Sequence, residues 1–294
     1  MTMSSGATEP ASVAASGREE LSDADFQLLR DAIRREVGIS IAADKRALVI
    51  GRLRSLVAEQ GHSDFASFTR ELLRNPDPSR LSQLVDRIAT NHTFFGREKE
   101  HFDFLVRQAL PELCPTIEAQ GERDLRVWCA AASTGEEPYV LAMLIRDFLA
   151  SRFPGWEGGV LATDVSARAL ERARRGVYPR RAVERLDPLL RLRYFRERGA
   201  DELEITPELK REVLFRRFNL MNQALPFRHR FHVVFCRNVM IYFDEPTRLS
   251  LVHRLHGCIE PGGYLFIGMA ESLDRRSSPF QFVRPGIYRK AIEP

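Results

Sequence analysis

The sequence is poor in cysteine, tryptophan and lysine, and it holds no long apolar run. No stretch reaches the about 18 residues that a membrane-spanning helix needs, so direct membrane insertion is not expected. Cys114, Cys129, Cys236 and Cys258 show no CxxC spacing, and two of them fall in predicted core strands. Buried reduced thiols of a cytoplasmic protein fit that pattern better than disulfides or metal ligands. His229/His232 and His253/His256 are each spaced by three, but no neighbouring carboxylate or cysteine completes a set of three ligands, and no metal is expected. Neither a three-glycine nor a Gly-Lys-Ser phosphate loop is present, which argues against a dinucleotide or a nucleoside triphosphate. No Ser-His-Asp or Cys-His arrangement is apparent.

Charge of one sign is not in excess. The 44 basic and 40 acidic residues leave a formal net charge of +4. The basic residues are almost all arginine and are interleaved with Asp and Glu, which reads as solvated faces rather than a nucleic-acid groove; no nucleic-acid partner is expected. At 294 residues the chain can hold one full α/β domain and a small accessory domain. Met1–Glu20 is rich in Ser, Ala, Gly and Glu and lacks both a basic cluster and an apolar core segment. It reads as a disordered tail and not as a signal peptide.

Residues 21–90 read as an all-helical domain. Ser22 is a fair N-cap for a helix carrying Phe26, Leu29, Ile33 and Val37, which Gly38 ends. Further helices are predicted over Ala43–Gln60, over Asp64–Leu73, and after the Asn75–Pro78 turn with Leu81, Leu84, Val85 and Ile88 on one face. A unit of this size suits recognition. Lys45 and Arg52 lie two turns apart on one side of its second helix, with Arg46 and Arg54 pointing elsewhere.

Residues 91–294 alternate helix and strand, as in a doubly wound, mostly parallel sheet. Helices are expected at Glu98–Leu113, Pro138–Ala150, Ser166–Arg175 and Glu245–Leu255. Strands are expected at Leu125–Ala131, Val160–Thr163, Phe231–Cys236 and Gly263–Ile267, with a terminal hairpin at Phe280–Arg284 and Ile287–Lys290. An arginine-rich stretch at about 176–218, with short alternating runs at Leu203–Thr206 and Val213–Phe218, interrupts this order.

Leu125–Val140 (LRVWCAAASTGEEPYV) is the most telling segment. A buried strand runs into Ala130–Gly135, where small side chains let a ligand approach the backbone, and a helix follows with Pro138 in its first turn. This is the first βα crevice of such a sheet. Two carboxylates, one glycine and no lysine repel phosphate and favour a cation such as a sulfonium. The next strand ends at Asp164, where a carboxylate can accept both hydroxyls of a ribose. A nucleoside with a cationic tail and no phosphate is S-adenosylmethionine.

Asn91–Phe102 (NHTFFGREKEHF), Ala132–Tyr139 (ASTGEEPY) and Cys236–Phe243 (CRNVMIYF) together resemble the chemotaxis-receptor glutamate methyltransferases, the CheR family. The resemblance runs over nearly the whole chain from about Leu21. It implies a class I S-adenosylmethionine-dependent methyltransferase domain behind a small helical receptor-recognition domain, acting in the cytoplasm as a monomer. The implied reaction converts glutamates in the cytoplasmic helical region of methyl-accepting chemotaxis-type receptors to γ-methyl esters, leaving S-adenosylhomocysteine.

Carried onto this sequence, the resemblance implies cofactor contacts by Asn91, Thr93, Arg97, Glu137, Asp164, Asn219, Leu220, Arg237 and Asn238. Arg97 and Tyr242 would act at the acceptor, and Lys45, Arg46, Arg52 and Arg54 would face the receptor. A small three-stranded β-subdomain would occupy the 176–218 stretch, and in some relatives it holds a receptor tail peptide; a surface excursion covering the substrate cleft stays equally open. Two departures stand out. Gly96 separates the aromatic pair Phe94-Phe95 from Arg97, and the basic residues of the second helix thin out after Arg54. A methyltransferase acting on a small acid or a nucleic acid, and a non-catalytic binding module, are the alternative functions.

Overall fold

The computed structural model describes residues 21–75, 77–89 and 92–292. Asn91 and the expected tail at 1–20 therefore lie outside the described residues. Four helices form the first unit: α1 (Asp23–Val37), α2 (Arg46–Glu59), α3 (Phe65–Arg74) and α4 (Pro78–Ile88). Each of three starts on a side-chain cap, with Ser22, Asp64 and Asp77 accepting from the backbone N–H of Asp25, Ser67 and Ser79. Leu29, Ile33, Leu53, Phe68 and Leu84 meet in one core that excludes water almost fully.

The second unit begins with α5 (Lys99–Phe104) and α6 (Leu110–Ala119), joined by a π turn at Leu105–Ala109. The helix expected at Glu98–Leu113 thus runs on through Pro115. Burial of Cys114 and Ile117 holds this last turn against the sheet, where the proline alone would predict a stop. Then follow β1 (Asp124–Ala130), α7 (Glu136–Arg152), β2 (Glu157–Asp164), α8 (Ala167–Arg175), β3 (Val177–Pro179), α9 (Pro188–Tyr194), β4 (Phe195–Arg198), β5 (Glu202–Ile205), α10 (Pro207–Arg211) and β6 (Val213–Arg217). The chain closes with β7 (Phe231–Phe235), α11 (Glu245–Gly257), β8 (Ile259–Phe266), β9 (Gln281–Arg284) and β10 (Ile287–Arg289).

Seven strands build the main sheet in the order β6-β2-β1-β7-β8-β10-β9, parallel except for the terminal hairpin. β1 lies between β2 and β7, its Val127 level with Val160 of β2 and Val233 of β7. A separate antiparallel sheet, β3-β5-β4, forms the small β insert. Val213–Arg217 corrects the expectation that this run belongs with the insert: it is the edge strand of the main sheet, parallel to β2. Val213 and Phe215 face the core while Leu214 is half exposed, and that one-sided burial produced an alternation resembling an insert strand.

Candidate active site

The cleft opens where the strand order reverses. After β1 the chain steps outward to β2 and β6, and after β7 it steps the other way to β8, so the connections leaving β1 and β7 diverge at their carboxyl ends. A cavity of about 670 Å³ lies there, a size suited to a small ligand. One wall carries Ser133, Glu137, Asp164, Asn219, Leu220, Arg237, Asn238 and Tyr242, with His92, Thr93 and Arg97 from the linker. The helical unit supplies the other, through Val37, Ile39 to Ala42, Lys45, Leu48, Val49 and Arg52.

The turn after β1 is left-handed at three positions, Ala131 (φ 85°), Ser133 (φ 47°) and Gly135 (φ 99°). Only glycine adopts it without strain, so Ala131 and Ser133 are held there by their surroundings. A Cβ on Gly135 would lie 2.7 Å from Tyr178 Oη and 2.8 Å from Ala173 Cβ, so the close approach of the insert and α8 requires glycine there. Asp164 braces the turn, since its carboxylate accepts from the N–H of Ser133 and of Ser166, each at 2.8 Å. Burial pushes the Asp164 carboxyl up, and these two amides oppose that. Ser133 Oγ is buried with no hydrogen-bond partner, a group a ligand hydroxyl can satisfy.

The two glutamates of the motif separate. Glu136 turns to Thr134, whose hydroxyl donates to it at 2.6 Å, and it does not line the cleft. Glu137 does, and Cys129 Sγ donates to its Oε1 at 3.3 Å. Burial raises the Glu137 carboxyl while the Arg237 guanidinium, 3.2 Å away, opposes the rise. The Arg237 side chain has no exposed surface; it pairs with Glu98 at 3.2 Å, donates to the Arg97 carbonyl at 2.5 Å and lies over the Phe102 ring. Its Nε and Nη1 carry no hydrogen bond. Arg97 Nη1 donates to the His92 carbonyl at 2.9 Å, which folds the linker over the cleft.

Asn219 joins the two units, donating from Nδ2 to the Glu36 carbonyl at 2.6 Å and accepting from Met221 N–H at 2.9 Å. The Tyr242 carbonyl accepts from Ser40 N–H at 2.8 Å, while its phenol makes no hydrogen bond among the described residues. Of the four basic residues expected to face a receptor, Lys45 and Arg52 line the cleft. Arg46 instead pairs with Asp23 at 2.7 Å, and Arg54 is exposed on α2 outside the cleft.

Sequence reasoning missed Glu98 and Glu271. Glu98 follows Arg97 in the NHTFFGREKEHF segment and touches Arg237, Asn238 and the N–H of Met269. Glu271 lies in none of the three motifs, and of its partners only Gly268 is local, whereas Asn238 and Ile241 reach it only in three dimensions. His92 was also passed over, and it lines the cleft. Among the described residues no group of three potential ligands could hold a metal ion, and no helix is long and apolar enough to cross a membrane. The four cysteines are free and buried, and burial pushes the thiols of Cys114 and Cys258 up to about 12.

The donor set fits S-adenosylmethionine. Glu137 answers positive charge, Asp164 and the unpartnered Ser133 hydroxyl answer a ribose, and the left-handed turn brings backbone close to the ligand. Comparison with known proteins agrees. Residues 91–288 match the "CheR methyltransferase, SAM binding domain" and residues 24–89 the "CheR methyltransferase, all-alpha domain". A chemotaxis protein methyltransferase of Borreliella burgdorferi is 36% identical over 253 residues, 86% of this chain and 89% of that protein. Two from Pseudomonas aeruginosa are 35% identical, covering 92% of this chain and 98% of theirs, and 36% identical, covering 91% and 93%. With both units matched and relatives spanning almost the full length, this chain belongs to the CheR family, the S-adenosylmethionine-dependent methyltransferases of chemotaxis.

Proposed function

We propose that the protein transfers the methyl group of S-adenosylmethionine to glutamate side chains in the cytoplasmic helical region of chemotaxis-type receptors, forming γ-methyl esters. The observation that carries this reading is the polarity of the cleft: Glu137 and Asp164 are set against the sheet, whereas Lys45, Arg52 and Arg97 line the same cavity from the helical unit and the linker. Acid suits a sulfonium, and the cations suit an incoming carboxylate.

The cofactor supplies a methyl group on a sulfonium. Displacement at that carbon needs acceptor oxygen, carbon and sulfur nearly collinear, so the protein's task is placement. Arg97 can steer the acceptor carboxylate with a forked pair, and the Tyr242 hydroxyl can orient it. A carboxylate is already ionised at neutral pH and needs no general base. Partial dehydration between the two units makes it a better nucleophile. The proposed cofactor contacts are Thr93, Arg97, Glu137, Asp164, Asn219, Leu220, Arg237 and Asn238, and Asn91 is retained as an expectation beside them. Loss of negative charge on a receptor helix bundle would bias its two-state output.

Reaction with radiolabelled cofactor and cytoplasmic receptor fragments should yield label that mild alkali releases as methanol. Arg97→Ala and Tyr242→Phe should slow it, Arg97→Ala more. The rate should hold from neutrality down toward the carboxylate range near about 4.3. A steep loss of rate between pH 7 and 6 would instead point to a titrating base acting on a neutral acceptor, and alkali-stable label would rule out carboxyl methylation.

A further inference from the structure

Asn238 sits in the left-handed region (φ 57°) three residues after the end of β7 and is held from two sides. Its backbone N–H donates to Glu271 Oε2 at 2.9 Å, and the same carboxylate accepts from Ile241 N–H at 3.0 Å and Gly268 N–H at 2.6 Å. Its side-chain Nδ2 donates to Glu98 Oε1 at 3.1 Å. The second oxygen of Glu98 is taken by the Met269 N–H at 3.1 Å and by Arg237 at 3.2 Å. Ionised Glu98 has no proton to give, so only the NH2 end of the Asn238 amide can face it. The opposite end, Oδ1, accepts no hydrogen bond among the described residues, and Asn238 lines the cleft.

We propose that Glu98 is a positioning residue that fixes the polarity of the Asn238 amide, so that Asn238 offers the cofactor an acceptor and takes its α-ammonium. The choice of the ammonium follows from the surroundings. Arg97, Glu98, Glu137 and Arg237 gather around Asn238, and charged side chains belong beside the zwitterionic end of the ligand; the ribose acid Asp164 is held elsewhere, by Ser133 and Ser166. The inference rests on Asn238 being a cofactor contact, as proposed above.

Isosteric exchange tests it. In Glu98→Gln the new amide NH2 opposes the Asn238 NH2, so Asn238 must turn over and present a donor to the ammonium. Asn238→Asp places two carboxylates face to face. The double variant E98Q/N238D restores one donor and one acceptor, because the amide introduced at position 98 can give its N–H to the carboxylate introduced at position 238 while its oxygen keeps Met269 N–H and Arg237. Calorimetric affinity for S-adenosylhomocysteine should fall at least about tenfold in each single variant and return to within a few-fold of the parent in the double. Methylthioadenosine, which lacks the amino-acid end, should bind all of them alike. Equal losses for both ligands would reduce Glu98 to general support of the fold and overturn the proposal, as would additive losses in the double variant. Asn238→Ala separates the two readings: parent-like affinity for S-adenosylhomocysteine would remove Asn238 from the cofactor site, whereas a weakened Asn238→Ala beside an unaffected Glu98→Gln would reject only the role of Glu98.

Discussion

Asp164 meets two demands at once, bracing the turn after β1 through Ser133 and Ser166 and facing the cleft with what acceptor capacity remains. Asp164→Ala should therefore weaken binding of S-adenosylhomocysteine by about 1–3 kcal/mol, measured calorimetrically, through the lost ligand contact together with a loosened turn. An unchanged affinity would take Asp164 out of the ribose site. Far from the cleft, His232 is buried and its Nδ1 accepts from Arg126 N–H at 3.1 Å, which requires the neutral ring. Burial, aided by the Arg126 charge, lowers its pKa to about 4. The unfolded chain binds this proton first, near about 6.5. The stabilisation is therefore complete above that pH and is lost as pH falls toward 4, amounting to about 2–3 kcal/mol. Urea midpoints between pH 7 and 4.5 should fall less steeply in His232→Gln than in the parent.

At the scale of elements, the β1–α7 turn depends on its neighbours as much as on its own residues. Tyr178 of β3 donates to the Thr134 carbonyl at 2.8 Å, and Tyr139 of α7 donates to the Ala173 carbonyl of α8 at 2.8 Å. The insert thereby touches the turn without contributing a side chain to the cleft. Gly135→Ala adds a Cβ into that junction and a non-glycine residue at φ 99°. It should cost about 1–3 kcal/mol of stability, read as a lower thermal midpoint, and cofactor affinity should fall with it. Full retention of both would mean that Tyr178 and α8 yield readily, and that the turn is not held by them.

For the molecule as a whole, the helical unit forms one wall of the cleft. Arg34 pairs with Asp244 at 2.5 Å, Ile39 bridges Phe243, Ser40 N–H reaches the Tyr242 carbonyl and Asn219 holds the Glu36 carbonyl. The last turn of α1 and the segment after it are thereby stitched to residues on either side of the cofactor cleft. A chain beginning at residue 91 should lose at least about tenfold in affinity for S-adenosylhomocysteine, since it lacks one wall of the cavity. Undiminished affinity in a folded truncated chain would confine the helical unit to recognition. Lys45→Glu, a subtler change at the exposed end of α2, should slow receptor methylation more at low ionic strength than at high.

The sequence by itself determined most of what is local or periodic. Ser22, Asp64 and the 3.6-residue apolar repeat set α1 and α3 within a residue or two, while α2 begins three residues later than expected, after a 3-10 turn at Ala43–Lys45; Leu125–Gly135 announced both the buried strand and the turn of small residues that follows it. The family resemblance carried by the motifs named Thr93, Arg97, Glu137, Asp164, Asn219, Leu220, Arg237, Asn238 and Tyr242, and these line one cavity. What the tertiary structure decided depends on partners distant along the chain. Val213–Arg217 became a main-sheet edge because β2 offers it a parallel ladder, and the helix ran past Pro115 because the core buries Cys114 and Ile117. Helical spacing already set Lys45 and Arg52 apart from Arg46 and Arg54, and the tertiary structure decided that the first pair faces the cleft. Glu98 gained Asn238 and Met269, and Glu271 gained Asn238 and Ile241, only when the connections after β7 and β8 came together, for a carboxylate's preference for N–H donors says nothing of which donors folding will bring to it.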